Sequence, residues 1–235
     1  MISQLGSQLS KENNDEPGYC QQALNSETLE QGVAFLCTVD AQLEWIQRNL
    51  GSPPLWAREP GFPTLVLIIL EQQVSLASAR AAYKRLQDAT QRITPQTFLL
   101  LNDDELLQIG FSRQKMGYCR GLANSIMEGE FDLRQLDILD DATARATLMK
   151  VRGIGPWTAD IYLLMALLRP DTWPAGDLAL ATAVQVVKRL PTKPGAEEMD
   201  RIAAPWRPWR AVAARLLWHY YLSLSDRKKE DNLQI

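Results

Sequence analysis

Few residues in this 235-residue chain suit metal chemistry or cross-linking. The three cysteines, Cys20, Cys37 and Cys119, are odd in number and widely spaced. They fit free thiols in a reducing compartment and match no zinc or iron–sulfur spacing. The single histidine, His219, has no cysteine or carboxylate at ligand spacing, so a surface or core role is expected. No apolar run reaches about 18 residues, which excludes a spanning helix. Met1 to Tyr19 is polar and lacks the apolar core of a secretory signal. Alternating strand patterns and Asn-Gly hairpins are missing. Positive charge is not in excess: 25 Lys+Arg stand against 28 Asp+Glu, a net −3. That balance argues mildly against a nucleic-acid partner, but its distribution is uneven. Residues 1–62 hold three cations and eight acids, while Arg201 to Arg215 holds four arginines and no acid. A binding face needs only a local basic patch.

What is present suits a helical protein with a substantial core: 46% of residues are apolar and 23% charged. Residues 1–26 read as a loose leader and residues 226–235 as a frayed polar tail. Between them the pattern is helical. Leu29, Val33, Leu36, Leu43 and Ile46 mark one helix, stopped by Gly51 and Pro53-Pro54. Leu65 to Leu70, apolar all round, predicts a buried central helix. Ser75, Thr94, Asn102, Ser112 and Asp140 or Asp141 can open further helices. Pro156 to Leu168, Leu178 to Leu190 and Pro208 to Leu222 complete about ten.

The most informative stretch is Val151-Arg152-Gly153-Ile154-Gly155-Pro156-Trp157-Thr158. Two glycines flank one apolar residue between two helices, the second starting at a proline. Glycine allows positive φ and close backbone approach, and proline at the first helical position wastes no donor. The free amides could hold a phosphate, with Ile154 docked into the core. The same residues also suit an ordinary tight turn between helices. Twenty residues past Trp157, Asp177 opens a helix. It can be simply a cap, or a carboxylate held by amides at a positive helix end.

Five blocks in order resemble the helix-hairpin-helix DNA glycosylases, most of all the 3-methyladenine DNA glycosylase II branch. They are Ile69-Leu70-Glu71-Gln72-Gln73-Val74-Ser75, Gly110-Phe111-Ser112-Arg113-Gln114-Lys115, Val151 to Thr158, Pro174-Ala175-Gly176-Asp177-Leu178, and Trp206-Arg207-Pro208-Trp209-Arg210 with Trp218 behind it. The resemblance implies an all-α fold of two helical lobes with a cleft between them and no large N-terminal sheet domain. The glycosylase domain would span 27–225. Its hairpin lobe would be residues 75–170, and its second lobe residues 27–74 with 171–225.

The resemblance also implies roles. Asp177 would be the catalytic aspartate, stabilising oxocarbenium-like charge on the sugar. Trp157 and Trp218 would supply aromatic faces to a cationic flipped base, beside Ile161 (where relatives can carry a tyrosine) and Asp160. Gly153, Gly155 and Thr158 would meet DNA. Gln73 would fill the gap left by the base, with Gln72 as support, although the pair also suits a polar helix end. Bifunctional relatives carry a lysine where this chain has Trp157, so no lyase activity is implied. No cysteine follows Cys119, so no iron–sulfur cluster is expected. No cofactor is required, but the carbonyls of Met149, Val151 and Ile154 match those that hold a monovalent cation in relatives. The implied function is release of alkylated bases such as 3-methyladenine from double-stranded DNA. The protein would be a monomer without membrane contact, in the cytoplasm or nucleoid, or in a nucleus, and not secreted. The rivals are a glycosylase for another lesion and a hairpin module that only grips DNA.

Overall fold

The computed structural model describes residues 23–233, with side chains through residue 224. Its helices are α1 (Ser26–Val39), α2 (Ala41–Leu50), α3 (Phe62–Glu71), α4 (Leu76–Thr90), α5 (Pro95–Leu100), α6 (Asp103–Ile109), α7 (Arg113–Met127), α8 (Asp141–Met149), α9 (Pro156–Met165), α10 (Leu178–Val187), α11 (Ala196–Ala203) and α12 (Arg210–Leu233). Short 3-10 turns cover Leu133–Ile138 and Ala204–Trp206, and no strand occurs among the described residues. The fold is all-α, as the periodicity predicts.

Local chemistry explains the helix starts. Asn25, Thr94 and Asn102 form capping boxes with Thr28, Thr97 and Glu105, while Ser75, Ser112, Asp140 and Asp177 cap with their side chains. The single helix expected from Leu29 to Ile46 is two helices, broken at Asp40. That carboxylate caps α2 through Gln42 and Leu43, and accepts from the Trp206 indole at 2.8 Å and from Lys188.

The ends also differ from expectation. Most of the predicted leader, residues 1–22, lies outside the described residues. Its last part is anchored: Leu24 is only 2% exposed and its amide donates to Leu168 O at 2.8 Å. The expected frayed tail is helical as far as Leu233, continuing α12 through a run of good helix formers.

The helices form two groups. In one, α3 packs on α4, α7 and α9, with α5 on α7, α4 on α6 and α8 on α9. In the other, α1, α2, α10 and α12 pack together, with the 204–206 turn against α1 and α11. The expected boundary at residue 75 is therefore corrected. α3 belongs with the hairpin helices, because an all-round apolar helix must be covered on every face, and α4, α7 and α9 cover it. The chain thus enters the hairpin lobe at Phe62, while both flanking segments build the other lobe. Arg215 of α12 crosses between them, fully buried, donating to Leu55 O, Ala211 O and Leu164 O at 2.8–3.0 Å. His219 has the structural role expected, its ring 3.0 Å from Leu50 O at the end of α2.

Candidate active site

The hairpin joins α8 to α9. Gly153 takes φ +93°, and a Cβ there would fall 2.2 Å from Cγ of Tyr118, so both backbone and packing demand glycine. Gly155 has an ordinary φ of −88° and open space around it. Ile154 is 4% exposed, pinning the turn to the core as expected, and its amide donates to Val151 O at 3.0 Å. Gly155 provides no side-chain cap and Pro156 no amide, so the amides beginning α9 lack a cap from the chain itself. Lys150 and Arg152 are exposed beside them.

Two residues expected to meet DNA turn inward. Thr158 is 2% exposed, and its Oγ1 accepts from Gln72 Nε2 at 2.9 Å. The same Gln72 amide donates to Gly153 O at 3.0 Å. Both side chains therefore staple the hairpin to the end of α3, which leaves the backbone amide of Thr158, in the first turn of α9, as the part of that residue available to a phosphate. Gln73 differs: it is exposed and adopts φ +57°, unusual for a residue with a Cβ.

Asp177, half-buried, stands at the N-terminus of α10. Its Oδ1 accepts from Leu180 N at 2.7 Å and from the Trp218 indole at 3.1 Å, and its Oδ2 accepts from the Trp157 indole at 2.8 Å. Trp157 comes from the hairpin helix and Trp218 from α12, so one carboxylate receives a donor from each lobe. The three donors and the positive helix end all complement a negative charge whose orientation they fix. The sequence places Asp177 and both tryptophans together, but the indole bonds were not foreseen. The only hint is that buried indole N–H groups need acceptors.

Ile161, 3% exposed, sits one turn beyond Trp157 in the interior of α9. Asp160 lines the same cleft as Trp157. Its carboxylate is tied to Arg145 of α8 at 2.6 and 3.3 Å, and burial raises its pKa in spite of the arginine. Most of the basic stretch from Arg201 to Arg215 is committed within the fold: Arg207 and Arg210 both pair with Asp171 at 2.8 Å and Arg215 is buried, while Arg201 is exposed. Lys115 was not singled out by the sequence, yet its Nζ donates to Leu70 O at 2.7 Å and Gln72 O at 2.8 Å. Among the described residues no group of three or more His, Cys, Asp or Glu side chains is placed to hold a metal ion.

Residues 66–208 match the HhH-GPD superfamily of base excision DNA repair proteins, and the chain belongs to that family. Within it, the chain is 28% identical over 183 residues to a DNA-3-methyladenine glycosylase of Bacillus subtilis, covering 73% of this chain and 58% of that protein. It is 26% identical over 165 residues to DNA-3-methyladenine glycosylase 1 of Schizosaccharomyces pombe, covering 68% and 72%. A putative DNA-3-methyladenine glycosylase of B. subtilis is 32% identical over 124 residues, and the chain spans 43% of its length. The solved S. pombe 3-methyladenine DNA glycosylase in complex with abasic DNA superposes with a TM-score of 0.76 at 23% identity, over 80% of this chain and 95% of that one.

Proposed function

We propose that this protein is a monofunctional DNA glycosylase that hydrolyses the N-glycosidic bond of alkylated bases, such as 3-methyladenine, in double-stranded DNA for base excision repair. The observation that carries this is Asp177, a carboxylate held by two indole N–H groups and a helix end, one of those indoles lying two residues past the hairpin cap. A module that only grips backbone would need the hairpin but not this carboxylate.

The chemistry needs one fixed anion. An alkylated purine is already cationic and leaves readily, so strong acid assistance is unnecessary. As the bond from the sugar C1′ to the base nitrogen breaks, its electron pair goes to the base and positive charge grows on the sugar. Asp177 stabilises that charge. Water oxygen then bonds to C1′, and its proton passes to the carboxylate or to solvent, leaving an abasic site. The base must leave the stack first. Trp157 and Trp218 would offer it indole faces, worth about 0.5–2 kcal/mol for a cation, and Gln73 would fill its place. Trp157 has no amine, so no covalent sugar intermediate is assigned to it.

The uncapped first-turn amides of α9, with Gly155, would meet a backbone phosphate. The carbonyls of Met149, Val151 and Ile154 are neutral oxygens of the kind that would hold a monovalent cation, with Val151 O also accepting from Ile154 N at 3.0 Å. We take the protein to act as a monomer in a reducing interior, cytoplasm, nucleoid or nucleus. No helix among the described residues is long and apolar enough to cross a membrane.

The test is release of free 3-methyladenine from methylated duplex DNA by wild type and by Asp177→Asn. Wild-type turnover retained in the variant would refute the mechanism; no release by the wild type on a panel of single-lesion duplexes would refute the reading.

A further inference from the structure

α3 ends at Glu71, where its last carbonyls lose their helical partners. Lys115, from the first turn of α7, supplies them. Its single ammonium donates to both Leu70 O and Gln72 O, at 2.7 and 2.8 Å. It also places a cation at the negative end of the α3 dipole. Gln72 O belongs to the peptide leading directly into Gln73, the residue with φ +57°. The Gln72 side chain, in turn, bonds Gly153 O and Thr158 Oγ1 of the hairpin. The end of α3, the start of α7 and the hairpin are therefore locked together, and the exposed Gln73 side chain projects from that lock.

We propose that Lys115 is a positioning residue, which holds Gln73 in its strained outward conformation and in register with the hairpin. It acts through Gln72 O and touches no substrate. Grip on the strand and filling of the vacated base position would then be one rigid operation. This rests on the glycosylase reading above. The lysine is partly buried, and burial lowers its pKa, a cost to the ammonium that the two carbonyls offset.

The test compares base release by wild type, Lys115→Met, Lys115→Arg and Gln73→Ala on one alkylated strand, both annealed to its complement and alone. A lone strand has no opposing base left unpaired and no duplex stack to open. Loss of two charge-assisted bonds predicts that Lys115→Met falls about ten- to hundred-fold on the duplex, changes little on the lone strand, and matches Gln73→Ala in this pattern. Lys115→Arg should recover much of the duplex activity. Emission from 2-aminopurine next to the lesion should show reduced unstacking in Lys115→Met. Equal loss on both substrates, or no loss on the duplex, overturns the proposal. Inactivity of the wild type on both overturns the glycosylase reading instead. If Lys115→Met melts below the assay temperature, Lys115→Gln replaces it and must show the same duplex-only direction.

Discussion

At the residue scale the site is a carboxylate with its partners already in place. Asp177→Asn keeps an oxygen for Leu180 N and so should retain α10, but its NH2 replaces the acceptor of the Trp157 indole, which should cost about 1–3 kcal/mol in denaturant melts. Losing the charge should lower single-turnover base release by about 10²–10³-fold or more, the scale seen when a preorganised electrostatic group is removed. Trp157→Phe and Trp218→Phe separate ring from donor. Each keeps an aromatic face and deletes one bond to Asp177, so each should lower kcat about ten-fold with KM little changed, measured by steady-state release. Asp177 as the cap of α10 was legible because Asp at a helix start is a local signal, whereas a catalytic role for it is implied by the family resemblance alone. Its indole bonds were not legible, since they join residues 20 and 41 positions away and exist only once both lobes have formed.

At the element scale the two hairpin glycines should part company. Gly153→Ala combines a positive φ with a collision against the Tyr118 ring and should cost about 2–3 kcal/mol in denaturant melts. Gly155→Ala has room and an allowed φ, so its fold should be untouched, and any loss should appear only in DNA affinity. Tyr162 links α9 to the start of α3 by accepting from Gly61 N at 2.9 Å, and burial pushes its phenol up to about 12 from an ordinary 10. Between those values the unfolded chain releases the proton and the folded one keeps it. Stability should therefore hold below pH 10 and fall as pH rises toward 12. Tyr162→Phe should flatten that decline, while costing about 1–3 kcal/mol at neutral pH for the orphaned Gly61 amide. The hairpin could be read from Gly-x-Gly-Pro because its reasons are local. The break at Asp40 could not: apolar periodicity runs across it, and Lys188 and Trp206, which hold the aspartate, lie about 150 residues or more away.

At the scale of the whole molecule, net charge is a poor guide to where a polyanion would sit. Three of the four arginines in the stretch that stood out in the sequence are committed to Asp171 or to carbonyl oxygens. The exposed Lys150 and Arg152 flank the hairpin instead. Substituting either by alanine should weaken DNA binding and reduce the slope of log K against log salt by about one. Arg207→Ala should leave that slope unchanged, as fluorescence anisotropy titrations at several salt concentrations would show. Linear order also misled the placing of α3, whose partners are α4, α7 and α9.

The discontinuous lobe has a consequence for a chain emerging from the ribosome. Residues of the hairpin lobe follow one another without interruption, so that half can settle while synthesis continues. The other half must wait: α1 and α2 are made early, yet Asp40 meets Lys188 and Trp206 only once residues 188–206 have appeared, and Asp177 meets Trp218 only once α12 has begun. On the glycosylase reading proposed above, a nascent polypeptide would therefore carry its hairpin before its completed carboxylate site, and bond cleavage would be withheld until α12 had joined the fold.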